Sequence, residues 1–136
     1  MTRKTWIRAA SAVTLLYAIG HSAGYPWTPV VGPREAAVIQ GMKSLTVKVG
    51  GASRSYWDFY EGFGIALGAL LLFQAIVLWQ LAAVAGSEWG RVRAILLSFG
   101  AAFVVNAVIV AKYFFALPLI LALSIVACLA AAALSR

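Results

Sequence analysis

Long apolar stretches alternate with short charged segments along the chain, and the alternation predicts four membrane-spanning helices at 6–23, 56–85, 94–115 and 118–134. Crossing a bilayer core takes about 20 mostly apolar residues. The second stretch exceeds that need. From Gly62 to Gly86 it carries no charge, and Gln74 and Gln80 are its only strongly polar side chains. The first stretch lies between Trp6 and Tyr25, aromatic residues suited to the two headgroup zones. The third holds Asn106 in its interior and Lys112 near its end, and Pro118 marks a tight reversal into the fourth. The expected fold class is all-α: a polytopic membrane four-helix bundle forming one domain over 1–136.

The connection from Pro26 to Ser55 has a pattern of its own. Val38, Ile39, Met42, Leu45 and Val49 recur among Arg34, Gln40, Lys43 and Lys48. This predicts a short interfacial helix over 34–46, lying flat on the membrane. Leu45–Val49 also alternates as a strand would. Gly50-Gly51 breaks the element, and Ser53 or Ser55 can cap the helix that follows. Tyr25-Pro26-Trp27-Thr28-Pro29 is expected to end the first span, because proline lacks an amide donor.

Composition strengthens the membrane reading. Of 136 residues, 63% are hydrophobic and only 11% charged, where soluble domains carry about a quarter. The net charge of +7 is spread over loops and termini without a basic stripe, so headgroup phosphates and not nucleic acid are the expected partners. Arg3, Lys4 and Arg8 before an apolar run imitate a secretory leader, but no clear small-residue cleavage site follows, so a retained span is expected. Both termini are expected on the cytoplasmic face of a bacterial inner membrane. That face then receives Arg3, Lys4, Arg8, Arg91, Arg93 and Arg136, and the other receives Arg34, Lys43, Lys48, Arg54 and Lys112. Cys128 is alone, so no disulfide forms within the chain.

Helix direction then organises the chemistry. His21 ends the first span, Asp58 and Glu61 open the second, and Asn106 and Lys112 lie in the last half of the third. Alternating spans bring all five into one half of the bilayer. Intramembrane ionisable groups usually face a bundle interior or wet cavity and mark function. Glu61, a turn deeper than Asp58, is the candidate proton-transfer group, with His21 as its acid–base partner. Asp58 is expected to set the tautomer or charge of His21, and Asn106 to orient a substrate oxygen. Tyr17, Trp57, Tyr60, Phe63 and Lys112 are the candidate substrate-binding residues. The plain alternative is a structural network in which a carboxylate pairs with Lys112, itself a residue that tends to snorkel to headgroups. Gly64 and Gly68 continue the Glu61 side of the helix as a strip where another helix can approach closely.

No metal is expected, since no strong ligand spacing is present. No cofactor is expected, with haem held by His21, the only histidine, as the open alternative. Phosphate-cradling and dinucleotide signatures are absent.

Gly20-His21-Ser22-Ala23-Gly24-Tyr25-Pro26 and Tyr56-Trp57-Asp58-Phe59-Tyr60-Glu61-Gly62 resemble the corresponding ends of small bacterial four-span membrane proteins. In chemical style, with intramembrane acids beside aromatic rings, the chain also resembles the emopamil-binding sterol-isomerase superfamily. It is one span short of that pattern, so a sterol substrate does not carry over. The leading expectation is a membrane-embedded isomerase or cyclase using general acid–base chemistry on a small lipophilic substrate. The alternatives are a non-catalytic lipid- or quinone-binding module and a structural interaction protein. A homo-oligomer is expected, because four thin helices cover a ligand cavity poorly.

Overall fold

Helices dominate because the apolar runs leave the backbone no other way to satisfy its amides in lipid. The computed structural model describes residues 2–24 and 28–135. Tyr25, Pro26 and Trp27, the expected aromatic stop after the first span, lie outside the described residues, as does Arg136. The elements are α1 (Arg3–Gly24), α2 (Pro33–Ser44), β1 (Thr46–Val49), β2 (Ala52–Ser55), α3 (Tyr56–Val84), α4 (Trp89–Tyr113) and α5 (Ala116–Leu134). Among the described residues α3, α4 and α5 are long and apolar enough to cross a membrane. The class is therefore that of a largely apolar helical bundle and a multi-pass membrane protein.

Helix boundaries shift for physical reasons. α4 begins at Trp89, five residues before the expected start, because its first turn is polar helix in which Arg91 Nη1 meets Glu88 Oε2 at 3.0 Å. It ends at Tyr113, where Phe114 turns extended and its amide bonds the Val110 carbonyl. α5 starts at Ala116. Pro118 thus stands in its first turn, where a missing amide proton costs nothing.

The chain divides into two compact units. The first comprises residues 1–18 and 70–136. Its core is a set of stripes at helical spacing: Ile7, Ala10, Thr14 and Tyr17; Leu71, Ala75, Leu78 and Ala82; Val92, Leu96, Phe103 and Ala107; Ala122, Ile125, Leu129 and Ala132. Intervals of three, four and seven put each stripe on one helix face. The alanines in these stripes leave room for a neighbouring helix to approach closely. The outward faces remain apolar, with Leu72, Phe73, Ile76, Val104, Val105, Val108, Ile120 and Leu123 exposed. So much exposed hydrocarbon suits lipid, not water.

Polar ties within this unit satisfy groups that lipid would not. Ser11 Oγ donates to the Ala75 carbonyl at 2.7 Å, and Thr14 Oγ1 to the Ala10 carbonyl at 2.8 Å. Arg3 Nε donates to the Ser135 carbonyl at 2.9 Å just past α5, and its guanidinium lies 4.5 Å from the Trp89 ring centre. Arg8 lies 4.9 Å over Trp79.

The second unit comprises residues 19–69. Pro33 opens α2, and Glu35 in its first turn accepts the Val31 amide. The helix stops at Ser44, two residues short of the expected end, because Thr46–Val49 is a strand. It pairs antiparallel with β2 in the register Thr46–Ser55, Val47–Arg54, Lys48–Ser53 and Val49–Ala52. The turn is Gly50-Gly51, with φ of 58° and 82°. Two consecutive positive φ values match a primed turn, whose twist suits a hairpin and which glycine enters without strain. The hairpin is the element that the all-α expectation lacked.

Candidate functional site

The second unit holds His21, Asp58, Glu61, Trp57, Tyr60 and Phe63, whereas Tyr17, Asn106 and Lys112 belong to the first. Each group is therefore described within its own unit.

In the second unit the glycine strip of α3 receives the end of α1. His21 Nε2 lies 2.8 Å from the Gly64 carbonyl oxygen. A carbonyl only accepts, so Nε2 carries the proton and the tautomer is set by Gly64. A Cβ added to Gly68 would fall 2.7 Å from Ser22 Oγ and 3.6 Å from His21 Cδ2. The close approach expected at Gly64 and Gly68 is therefore present, with His21 and Ser22 as the residues that use it.

The two carboxylates differ. Ser55 donates its amide to Asp58 Oδ2 at 2.6 Å, and Asp58 donates its amide to Ser55 Oγ at 3.1 Å. This reciprocal pair is a capping box that satisfies amides at the start of α3. Asp58, expected to set the His21 tautomer, also has a role in starting the helix. Glu61, one turn on, is half-buried, and its carboxylate makes no hydrogen bond or ion pair with any described residue.

The aromatic residues differ in burial. Trp57 is half-buried, its ring 5.5 Å from that of Tyr60 and 5.0 Å from Lys43 Nζ. Phe63 is 74% exposed. In the first unit Tyr17 is a core residue. Asn106 Oδ1 is buried on α4 with no hydrogen-bond partner among the described residues. Lys112 Nζ lies 5.2 Å over the neighbouring Tyr113 ring. Among the described residues no three His, Cys, Asp or Glu side chains gather to hold a metal ion.

Sequence reasoning missed the part played by Ser22 and by the Gly64 carbonyl. Ser22 carried a usable signal, since a small residue beside His21 in Gly20-His21-Ser22-Ala23-Gly24 belongs on a close-packed face. The backbone carbonyl left no trace in side-chain identity. Comparison with protein-family models, curated proteins and solved structures gives no match.

Proposed function

We propose that the chain is a membrane-embedded isomerase or cyclase, with Glu61 as the proton-transfer group and His21 as its acid–base partner. The observation that carries this reading is the division of labour between the carboxylates. Asp58 is committed to the capping box, while half-buried Glu61 has no partner among the described residues. A carboxylate left unpaired near a membrane-spanning segment is retained at a cost, which function explains best. In the simplest reaction Glu61 removes a proton from one position of a small lipophilic substrate and returns it at another. Substrate and product then have the same atoms, and the protein ends as it began. The proposal uses groups of the second unit alone.

A substrate-class screen with wild type and Glu61→Gln in parallel tests it. General acid–base assistance is worth about 10²–10⁴-fold, so the folded variant should lose at least tens-fold (about 10²) in chemical rate. Full turnover by that variant, with chemistry limiting, removes Glu61 from the mechanism.

The second reading is a module that binds a lipid or quinone without turnover. It is favoured by Tyr56, Phe59, Tyr60 and Phe63, which leave aromatic surface exposed around the first turns of α3. Native mass spectrometry after gentle extraction would reveal a retained ligand. A clean protein with no thermal response to a lipid and quinone panel sinks this reading.

The topology that accompanies both readings has α1 as a fourth span, both termini on the cytoplasmic side of a bacterial inner membrane, and self-association that completes the ligand site. Support for α1 comes from its buried stripe and from Leu15, Leu16 and Ile19, which keep its outer face apolar and exposed.

A further inference from the structure

The hairpin has two chemically different faces. Residues opposite one another share a face, and neighbours along a strand alternate. The register therefore puts Val47, Val49, Ala52 and Arg54 on one face and Thr46, Lys48, Ser53 and Ser55 on the other. On the first, Val47 is half-buried, while Ala52 and Arg54 are exposed and Val49 is 63% exposed. Of the five donors of the Arg54 guanidinium, Nη1 is engaged with the Ser53 carbonyl at 2.8 Å.

Position limits what this face can meet. β2 runs straight into α3, Ser55 being followed by Tyr56 with no linker. Four extended residues reach about 13 Å, so the hairpin cannot leave the neighbourhood of the membrane boundary. Charge narrows it further. Between Thr28 and Ser55 the cations Arg34, Lys43, Lys48 and Arg54 face a single carboxylate, Glu35, which is turned onto the Val31 amide. A hairpin with Val49 exposed and an excess of cations in its segment, held at a bilayer edge, complements anionic phospholipid.

We propose that the Thr46–Ser55 hairpin is an anionic-phospholipid contact, with Val49 and Ala52 entering the headgroup boundary and Arg54, on the same face, taking lipid phosphates. Arg54 suits a phosphate because its planar fork donates to two oxygens at once. The proposal stands apart from the acid–base reading of Glu61, and loss of either leaves the other intact.

The test places a polarity-sensitive fluorophore on Val49→Cys in a Cys128→Ala background, in nanodiscs of phosphatidylcholine with and without phosphatidylglycerol. Emission should shift to the blue in the phosphatidylglycerol discs and return towards the aqueous value in high salt, which screens exposed charges. Arg54→Glu should raise the phosphatidylglycerol fraction needed at least fivefold, as expected for about 1 kcal/mol per surface cation. Helicity by circular dichroism should not change. Water-like emission in both lipids overturns the proposal. So does an equal blue shift in both lipids or in detergent, which would assign the face to plain apolar insertion or to a second copy of the chain.

Discussion

Ser22 Oγ stands 2.7 Å from the point where a Cβ on Gly68 would be. That contact, beside the bond from His21 to the Gly64 carbonyl, fixes how α1 meets α3 within the second unit. Gly68→Ala should therefore lower stability only modestly, by about 0.5–1.5 kcal/mol, since the exposed Ser22 hydroxyl must leave its rotamer. Ser22→Ala removes the obstructing oxygen, leaving its Cβ at 4.0 Å. The double variant should recover the loss and gain part of the helix propensity that glycine forgoes, about 1 kcal/mol at most. Reversible unfolding in mixed micelles gives the double-mutant cycle. Additive costs would mean that the two residues do not compete for the same space.

The capping box predicts a loss independent of chemistry. Asp58→Ala should cost about 1 kcal/mol of stability, and Ser55→Ala a similar amount. Because the two residues act on one helix start, the double variant should cost less than the sum. If Asp58→Ala abolished activity at unchanged stability, Asp58 would serve the chemistry, by touching the substrate or by acting through His21.

At the hairpin turn, Gly50 and Gly51 occupy positive φ, where a Cβ costs about 1–2 kcal/mol. Gly50→Ala should accelerate amide exchange through residues 46–55, and Gly50→Asn should do so far less, because asparagine tolerates this turn. Exchange in α4 and α5 should be unchanged in both. Equal exchange in the Ala and Asn variants would refute the primed turn as the source of hairpin stability.

These contrasts show where the chain was readable. Apolar length alone located α3, α4 and α5, since little else accommodates such runs. The strip at Gly64 and Gly68 was legible because side-chain absence is itself a packing signal. The hairpin was legible in part: Leu45–Val49 alternates and Gly50-Gly51 is a turn pair, but the pattern competes with the helical period preceding it. Asp58 is ambiguous for a specific reason. Ser55-Tyr56-Trp57-Asp58 has the spacing of a capping box, yet a carboxylate beside Glu61 also has the spacing of a catalytic pair, and sequence alone does not separate them. The division between units was not visible either, because α1 and α3 each run through residue types that change little where one unit gives way to the other.

The last prediction concerns α1. Arg3, Lys4 and Arg8 make it less apolar than α3, α4 and α5, so its crossing must be argued from how those charges are met. Arg3 is bonded to the Ser135 carbonyl and lies over Trp89, and Arg8 lies over Trp79. A carbonyl past a helix C-terminus carries partial negative charge, and an indole face attracts a cation. Both arginines are therefore accommodated at the end of the first unit that holds the start of α4 and the end of α5. From Arg8 the helix continues through Gly24, about 24 Å at 1.5 Å per residue, enough to carry the chain across most of a hydrocarbon core. Single cysteines at Thr2, Val31, Gly90 and Ser135 in a Cys128→Ala background report the crossing through a membrane-impermeant reagent. Thr2, Gly90 and Ser135 should label from one side and Val31 from the other. Labelling of Thr2 and Val31 from the same side would leave α1 lying along the bilayer and reduce the spans to three. Labelling of Gly90 and Ser135 from opposite sides would break the pairing of α4 with α5 as two crossings.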